Sequence, residues 1–224
     1  MAIEVSVVRV FTDADGRFGN PLGIVSADAV AENDRQQFAA DLGFSETVFV
    51  DRTEPGTASA TIYTPAVELP FAGHPTVGLS WWLREMGHPV DVLAVPAAPL
   101  RIRYDGDDTW VRARADWAPE FTFHQVRDAA EVTSADPSAY DSGHHYVWAW
   151  TDEENGALRS RMFAPMMGIA EDEATGAAAV RLTGELGRGL HIVQGAGSQL
   201  RTTFDENGWV ELGGQTVTDA PITV

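Results

Sequence analysis

The stretch AGHPTVGLSWWLREMG, residues 72–87, decides how the rest of the chain is read. Pro75 suits the first turn of a helix, where its missing N–H costs nothing. Val77, Leu79, Trp81, Trp82 and Leu83 are apolar nearly all round, so this helix is expected to be buried. Gly87 closes it. A second stretch, ATGAAAVRLTGELG at 174–187, repeats the pattern. It runs from a loop with an ionisable neighbour through a Gly into a helix from about Thr175 to Leu186. The two halves rhyme, which predicts an α+β fold of two similar domains. Each has a mostly antiparallel sheet wrapped around a central helix.

Working outward, Ile3 to Phe11 alternates apolar and polar residues and reads as a strand. Asp13 to Gly16 supplies turn residues. Gly19-Asn20-Pro21 makes a second sharp loop before a strand at Leu22 to Val25. Asn33 is expected to cap a helix that runs to about Leu42 and ends at Gly43 in the left-handed conformation. Thr47 to Asp51 is rich in β-branched and aromatic residues, so Ser45 and Glu46 stand at a loop-to-strand entry. Further strands are expected at Ser59 to Thr64, near Leu93, at Leu100 to Tyr104 and at Trp110 to Ala115, with a hairpin turn at Gly106-Asp107-Asp108. Residues 116–143 look least structured and hold the expected boundary between domains at 1–117 and 118–224, the second shortened near 116–144. Beyond it come strands at His145 to Thr151, Ser160 to Ala164, His191 to Gln194, Arg201 to Asp205, Trp209 to Leu212 and Gln215 to Thr218.

The composition excludes several kinds of chemistry. A net charge of −18 argues against nucleic acid, whose phosphates need a basic surface, and against anionic lipid. Cysteine is absent, so there is no disulfide, thiolate metal site or thiol nucleophile. All fifteen basic side chains are Arg, which removes Schiff-base chemistry and Lys-dependent phosphate loops. The start of the chain lacks the basic and long apolar segments of a signal peptide, and no run is long enough to span a membrane. A cytoplasmic protein is the default expectation. His144-His145 does not read as a metal pair, because adjacent strand residues point to opposite faces. No metal site is expected. Tyr146, Trp148 and Trp150 share one face of a strand and read as core.

Chemistry concentrates at the two helix starts. Unpaired N–H groups and a partial positive charge make a helix N-terminus a ready anion site. Both Gly73-His74 and Thr175-Gly176-Ala177 carry an ionisable neighbour, His74 in one case and Asp172 in the other. Together with Glu46 they form an acid–base set for a small carboxylate. The plainer alternatives are an exposed strand-edge glutamate, a helix-cap histidine and an aspartate that merely complements the helix dipole.

Five segments carry a resemblance: VFTDADGRFGNPLGIV (10–25), LGFSETVFV (42–50), IYTPAVELPFAGHPTVG (62–78), RSRMFAPMMGIAEDEATGAAA (159–179) and IVQGAGSQLR (192–201). In this order they resemble the PhzF-like family, the phenazine-biosynthesis isomerases and their relatives, which shares the diaminopimelate epimerase fold. The resemblance implies a cofactor-independent proton shift in a cleft between two domains. Glu46 takes a proton from one carbon and returns it elsewhere, while His74 and Asp172 assist. Asn20, Ser45, Gly73, Thr175, Gly176 and Ala177 are the expected substrate contacts, and a homodimer is the expected association. Burial is expected to raise the pKa of Glu46 toward neutrality.

Three departures from the family pattern bear on substrate. The paired thiols of the epimerases are impossible here. Ala177 stands where family members carry Ser, and Glu173 stands where they carry Pro, which puts an extra negative charge near the anion site. Two other functions fit the same scaffold: a non-catalytic protein that binds a small ligand, and a lyase or hydrolase that starts from the same deprotonation.

Overall fold

A computed structural model describes residues 2–140, 142–165 and 169–224. Met166, Met167 and Gly168, inside the fourth motif, lie outside the described residues. The first half runs β1 (Glu4–Thr12), β2 (Asn20–Ser26), α1 (Arg35–Leu42), β3 (Glu46–Glu54), β4 (Gly56–Tyr63), β5 (Glu68–Leu69), α2 (Gly73–Glu85), β6 (Val90–Val95), β7 (Ala98–Asp105) and β8 (Asp108–Arg114). After it come β9 (Thr122–Gln125), α3 (Ala129–Ser134), β10 (His145–Asp152), β11 (Ala157–Ala164) and β12 (Ile169–Asp172). The chain finishes with α4 (Gly176–Leu186), β13 (His191–Gln194), β14 (Ser198–Phe204), β15 (Trp209–Thr218) and β16 (Ile222–Thr223).

Strand pairing closes a circuit, β1-β2-β3-β4-β6-β7-β8-β15, because β15 pairs antiparallel with both β8 and β1. Within it β2–β3 and β4–β6 are parallel and the other neighbours antiparallel. Helix α2 packs on β1, β2, β3, β6, β8 and β15. From β15 the sheet continues through β14, β13, β11, β10 and β9, and α4 packs on β8, β14 and β15. The alternation of β1 explains how one strand serves two layers. Val8 and Val10 face the main core with Val77 and Leu79 of α2. Val5 and Val7 face the opposite way, into a smaller core covered by Ala39 of α1. The main core is continuous across the halves, since it also holds Tyr146, Leu158, Val180, Leu182 and Leu200. Among the described residues, no helix is long and apolar enough to cross a membrane.

Several local expectations need correction. Asn33 does not cap α1: it sits inside a 3₁₀ turn, Glu32–Asp34, and Asp34 stands at the cap with no side-chain bond. The C-terminal end is as expected, with Gly43 left-handed at φ 71°. Residues 116–143 are more ordered than their polar composition suggests. They hold β9, which pairs parallel with β10, and α3, capped by Asp128 through the amides of Ala130 and Glu131. Trp209–Thr218 is one strand and not two. Gly213-Gly214 does not break it; the glycines admit neighbours there. A Cβ on Gly213 would press into the Trp110 indole, and one on Gly214 would lie 2.7 Å from Phe11.

Gly213→Ala should therefore lower stability by roughly 1–3 kcal/mol through overpacking. Urea denaturation measures this, and an unchanged midpoint would contradict the passage of β15 beneath Trp110.

Candidate active site

Three elements deliver the ionisable trio. Glu46 is the first residue of β3, held beside Leu22 by the parallel register with β2. His74 is the second residue of α2, and Asp172 is the last residue of β12. The folding that unites them rests on a backbone contact. A Cβ on Gly73 would come within 2.8 Å of the Gly176 carbonyl carbon, and one on Gly176 within 2.8 Å of the His74 amide nitrogen. Helices α2 and α4 thus begin at the same point, with Leu212 against both glycines. Only glycine permits that approach. The leading N–H groups of both helices are concentrated there, with the positive ends of both dipoles.

Around this point runs a chain of side-chain hydrogen bonds. His74 Nδ1 lies 3.0 Å from Glu46 Oε2. Ser45 hydrogen-bonds the Glu46 carboxylate, and its hydroxyl also lies 3.3 Å from Asn20 Oδ1. Asn20 Nδ2 donates to Asp172 Oδ1 at 2.7 Å and to the Ala174 carbonyl at 3.1 Å. The Thr175 hydroxyl donates to Asp172 Oδ2 at 2.6 Å. Gln194 then supports the loop from behind, donating to the Asp172 carbonyl at 2.9 Å and to Thr175 Oγ1 at 2.8 Å, and accepting the Thr175 amide at 3.1 Å. Tyr146 Oη reaches Gln194 at 3.2 Å and Ser160 Oγ at 2.8 Å. One polar atom at the centre is left over: His74 Nε2 is buried and has no hydrogen-bond partner.

Electrostatics splits the two carboxyls. Burial raises the pKa of Glu46, but attraction to the His74 ring and the hydrogen bonds from His74 and Ser45 outweigh it. The result lies below the ordinary glutamate value. The expected rise toward neutrality therefore does not occur at Glu46, because His74 is its direct partner. It occurs at Asp172. Burial and the neighbouring charge of Glu46 push Asp172 up to about 7, against the bonds from Thr175 and Asn20 and the pull of His74. The site thus pairs a glutamate favoured in its ionised form with an aspartic acid pushed toward its protonated form. A base and an acid are thereby available in one buried network.

The expected substrate contacts divide in two. Gly73 and Gly176 present helix N-termini, Ala177 follows in the first turn of α4, and Ser45 lies beside Glu46. Asn20 and Thr175, in contrast, spend their polar groups on Asp172. Glu173 does not face the helix starts: its carboxylate accepts from the Ala196 amide and the Ser198 hydroxyl. Sequence inspection missed Gln194 and Ser198 as site residues, although both stand in the IVQGAGSQLR motif. It also assigned Tyr146 to the core alone, where its ring sits while its hydroxyl joins the network. A cavity of about 980 Å³ lies elsewhere, between β1–β3 and the last turn of α2, and none of the trio lines it. Its carboxylates on Glu4, Asp28, Asp51 and Glu54 are exposed, so it lacks the desolvated proton-exchanging groups found at the helix starts.

Comparison with known proteins gives one answer. Residues 8–109 and 118–206 match the family model described as phenazine biosynthesis-like protein. Trans-2,3-dihydro-3-hydroxyanthranilate isomerase of Pseudomonas aeruginosa is 28% identical over 215 residues, covering 79% of this chain and 77% of that protein. An isomerase of Pasteurella multocida is 43% identical over 70 residues, a segment that spans 30% of this chain and 24% of the relative's own length. The crystal structure of a phenazine biosynthesis protein of the PhzF family from Enterococcus faecalis superposes with a TM-score of 0.80 at 20% identity. It covers 100% of this chain and 99% of that one, and so shares the fold.

The Asp172 shift has a consequence for stability. Asp172 binds its proton more tightly when folded (about 7) than when unfolded (3.8), so its contribution is complete below pH 4 and is lost as pH rises from about 4 to about 7. The depressed Glu46 acts the other way, below its ordinary 4.5 and outside that window. Asp172→Asn removes the upper window. Relative to wild type the variant should gain stability between pH 5 and pH 8, by roughly 2–3 kcal/mol. Denaturation curves at the two pH values test this; a constant difference would mean that Asp172 titrates normally.

Proposed function

We propose that this chain, which belongs to the phenazine biosynthesis-like protein family, is an isomerase that moves a proton on a small carboxylate-bearing metabolite using its own side chains alone. The observation that carries this reading is the buried network that joins Glu46, His74 and Asp172 at the start of two helices, with Glu46 3.0 Å from His74 Nδ1 and His74 Nε2 buried and unpartnered; the carboxyl pKa values are shifted in opposite directions there. Removing a proton from carbon needs a desolvated base and a place for the charge that develops. Glu46 is ionised and oriented by His74, so it takes the proton. The paired N-termini of α2 and α4, at Gly73 and Gly176, stabilise the carboxylate and the negative charge that spreads into it. His74 Nε2 is the open position in the network and meets the substrate. Asp172 delivers or holds the second proton, and Glu46 returns the first at a different carbon.

In this reading residues 1–117 supply Glu46, His74 and one helix start, and residues 118–224 supply Asp172 and the other. The reaction occurs where α2 and α4 begin. Ser45 and the first turn of α4 contact the substrate. Ala177 offers no hydroxyl there, so the carboxylate is held by backbone amides and the preferred metabolite differs from those of family members that carry Ser.

Deuterium wash-in from heavy water into a panel of small carboxylic acids tests the mechanism. Wild type should label one of them, and Glu46→Gln should slow labelling by at least about 10²-fold, the lower range for loss of a general base. Exchange should also decline above about pH 7, where Asp172 loses its proton. Labelling that is indifferent to Glu46→Gln would sink this mechanism.

A further inference from the structure

Glu173 replaces the family's Pro, and its contacts give it a task. Its carboxylate accepts the Ala196 amide at 2.9 and 3.0 Å and the Ser198 hydroxyl at 2.6 Å. Gly195 makes room for this, since a Cβ there would occupy the place of the Glu173 carboxylate. Fully buried Ser198 passes the connection on, because its Oγ accepts the Gly19 amide at 2.9 Å. Gly19 adjoins Asn20, whose amide group donates to Asp172. A ring is thereby closed: Asp172, Glu173, Ser198, Gly19, Asn20 and back to Asp172, with two covalent links and three polar ones. It joins the loop before α4, the turn between β13 and β14, and the start of β2.

We infer that Glu173 is a positioning residue, which clamps these three segments so that Asn20 is aimed at the Asp172 carboxylate. The inference concerns the group read above as the proton donor, and so rests on that assignment for its catalytic meaning. Its geometry does not depend on any substrate. The negative charge introduced at position 173 is taken up by the Ala196 amide and the Ser198 hydroxyl, and does not face the anion site. Arg159 lies near enough for its charge to feel Glu173, and its guanidinium holds the Ser160 carbonyl together with those of Val193 and Gly195, which flank Gln194. The clamp is set in the same turn that carries Gln194 to Thr175.

The test is carbon-detected NMR titration of Asp172 in the resting protein, with amide exchange at Gly19 and Ala196. Asn20 favours the ionised form of Asp172, so loosening its aim raises the aspartate's midpoint. Glu173→Ala should raise that midpoint by about one pH unit, the equivalent of one hydrogen bond to a charged group, and speed exchange of both amides. Glu173→Gln keeps an oxygen for Ala196 and Ser198 and should restore wild-type values. Ser198→Ala should match Glu173→Ala, and the double variant should go no further than either. If Ala and Gln at 173 lowered the midpoint equally, the residue would act only as a charge, and the clamp would be overturned. An unmoved midpoint in Ser198→Ala would overturn it as well, even if Glu173→Ala failed to fold. These readouts need no turnover, so failure of the isomerase reading in the labelling experiment leaves them interpretable.

Discussion

Two helices that begin at the same point impose the constraint around which this protein is organised. Gly73 and Gly176 meet backbone to backbone, so neither position tolerates a side chain. The meeting concentrates two partial positive charges in a buried place, an arrangement that is unfavourable unless something negative offsets it. Ionised Glu46 is the negative group the fold brings there, and Asp172 is the carboxyl beside it that is pushed toward its protonated form. The sheet follows from the same requirement. A circuit closed through β15 holds α2 on several sides, and β15 also contributes Leu212, which packs against both glycines.

Burying two carboxyls together costs free energy if both are ionised, and the structure avoids that cost by treating them unequally. Glu46 has His74 and Ser45 as partners. Asp172 has neutral donors, Asn20 and Thr175, which cannot offset both burial and the nearby charge of Glu46. The pair therefore titrates as a coupled unit, with the proton residing on Asp172. Asn20 and Thr175 orient that carboxyl, and Gln194 fixes the loop that bears it. Each residue of the network is thus a response to the charge on its neighbour.

Much of this was legible in the residues themselves. The Gly-led apolar helices at 73 and 176 announced themselves through Pro75, the alanine run and the closing glycines. The period-2 alternation of β1 read as a strand, while its burial on both faces emerged only in the fold. Glu46, His74 and Asp172 stood in recognisable motifs, and the structure brings them together. What stayed hidden depended on contacts distant in sequence. Gly213-Gly214 read as a break because a glycine pair looks the same whether it turns the chain or admits Trp110 and Phe11. Residues 116–143 looked least structured because β9 is stabilised by its pairing with β10 rather than by its own composition. The identity of the raised carboxyl was invisible for the same reason. Burial acts on Glu46 and Asp172 alike, and only the position of His74 decides between them.

Asn20 and Glu173 show how a motif can mislead about role while being right about place. Both were expected to act on the substrate, one as a contact and the other as a repulsive charge. In the folded chain their polar groups are consumed by other residues: Asn20 by Asp172 and Ala174, Glu173 by Ala196 and Ser198. A side chain already engaged in short, part-buried hydrogen bonds has little left to offer a ligand, since those bonds must break before new ones form. At the junction of the two helices, His74 Nε2 is a buried polar atom with no hydrogen-bond partner. The surrounding network sets protonation and aim.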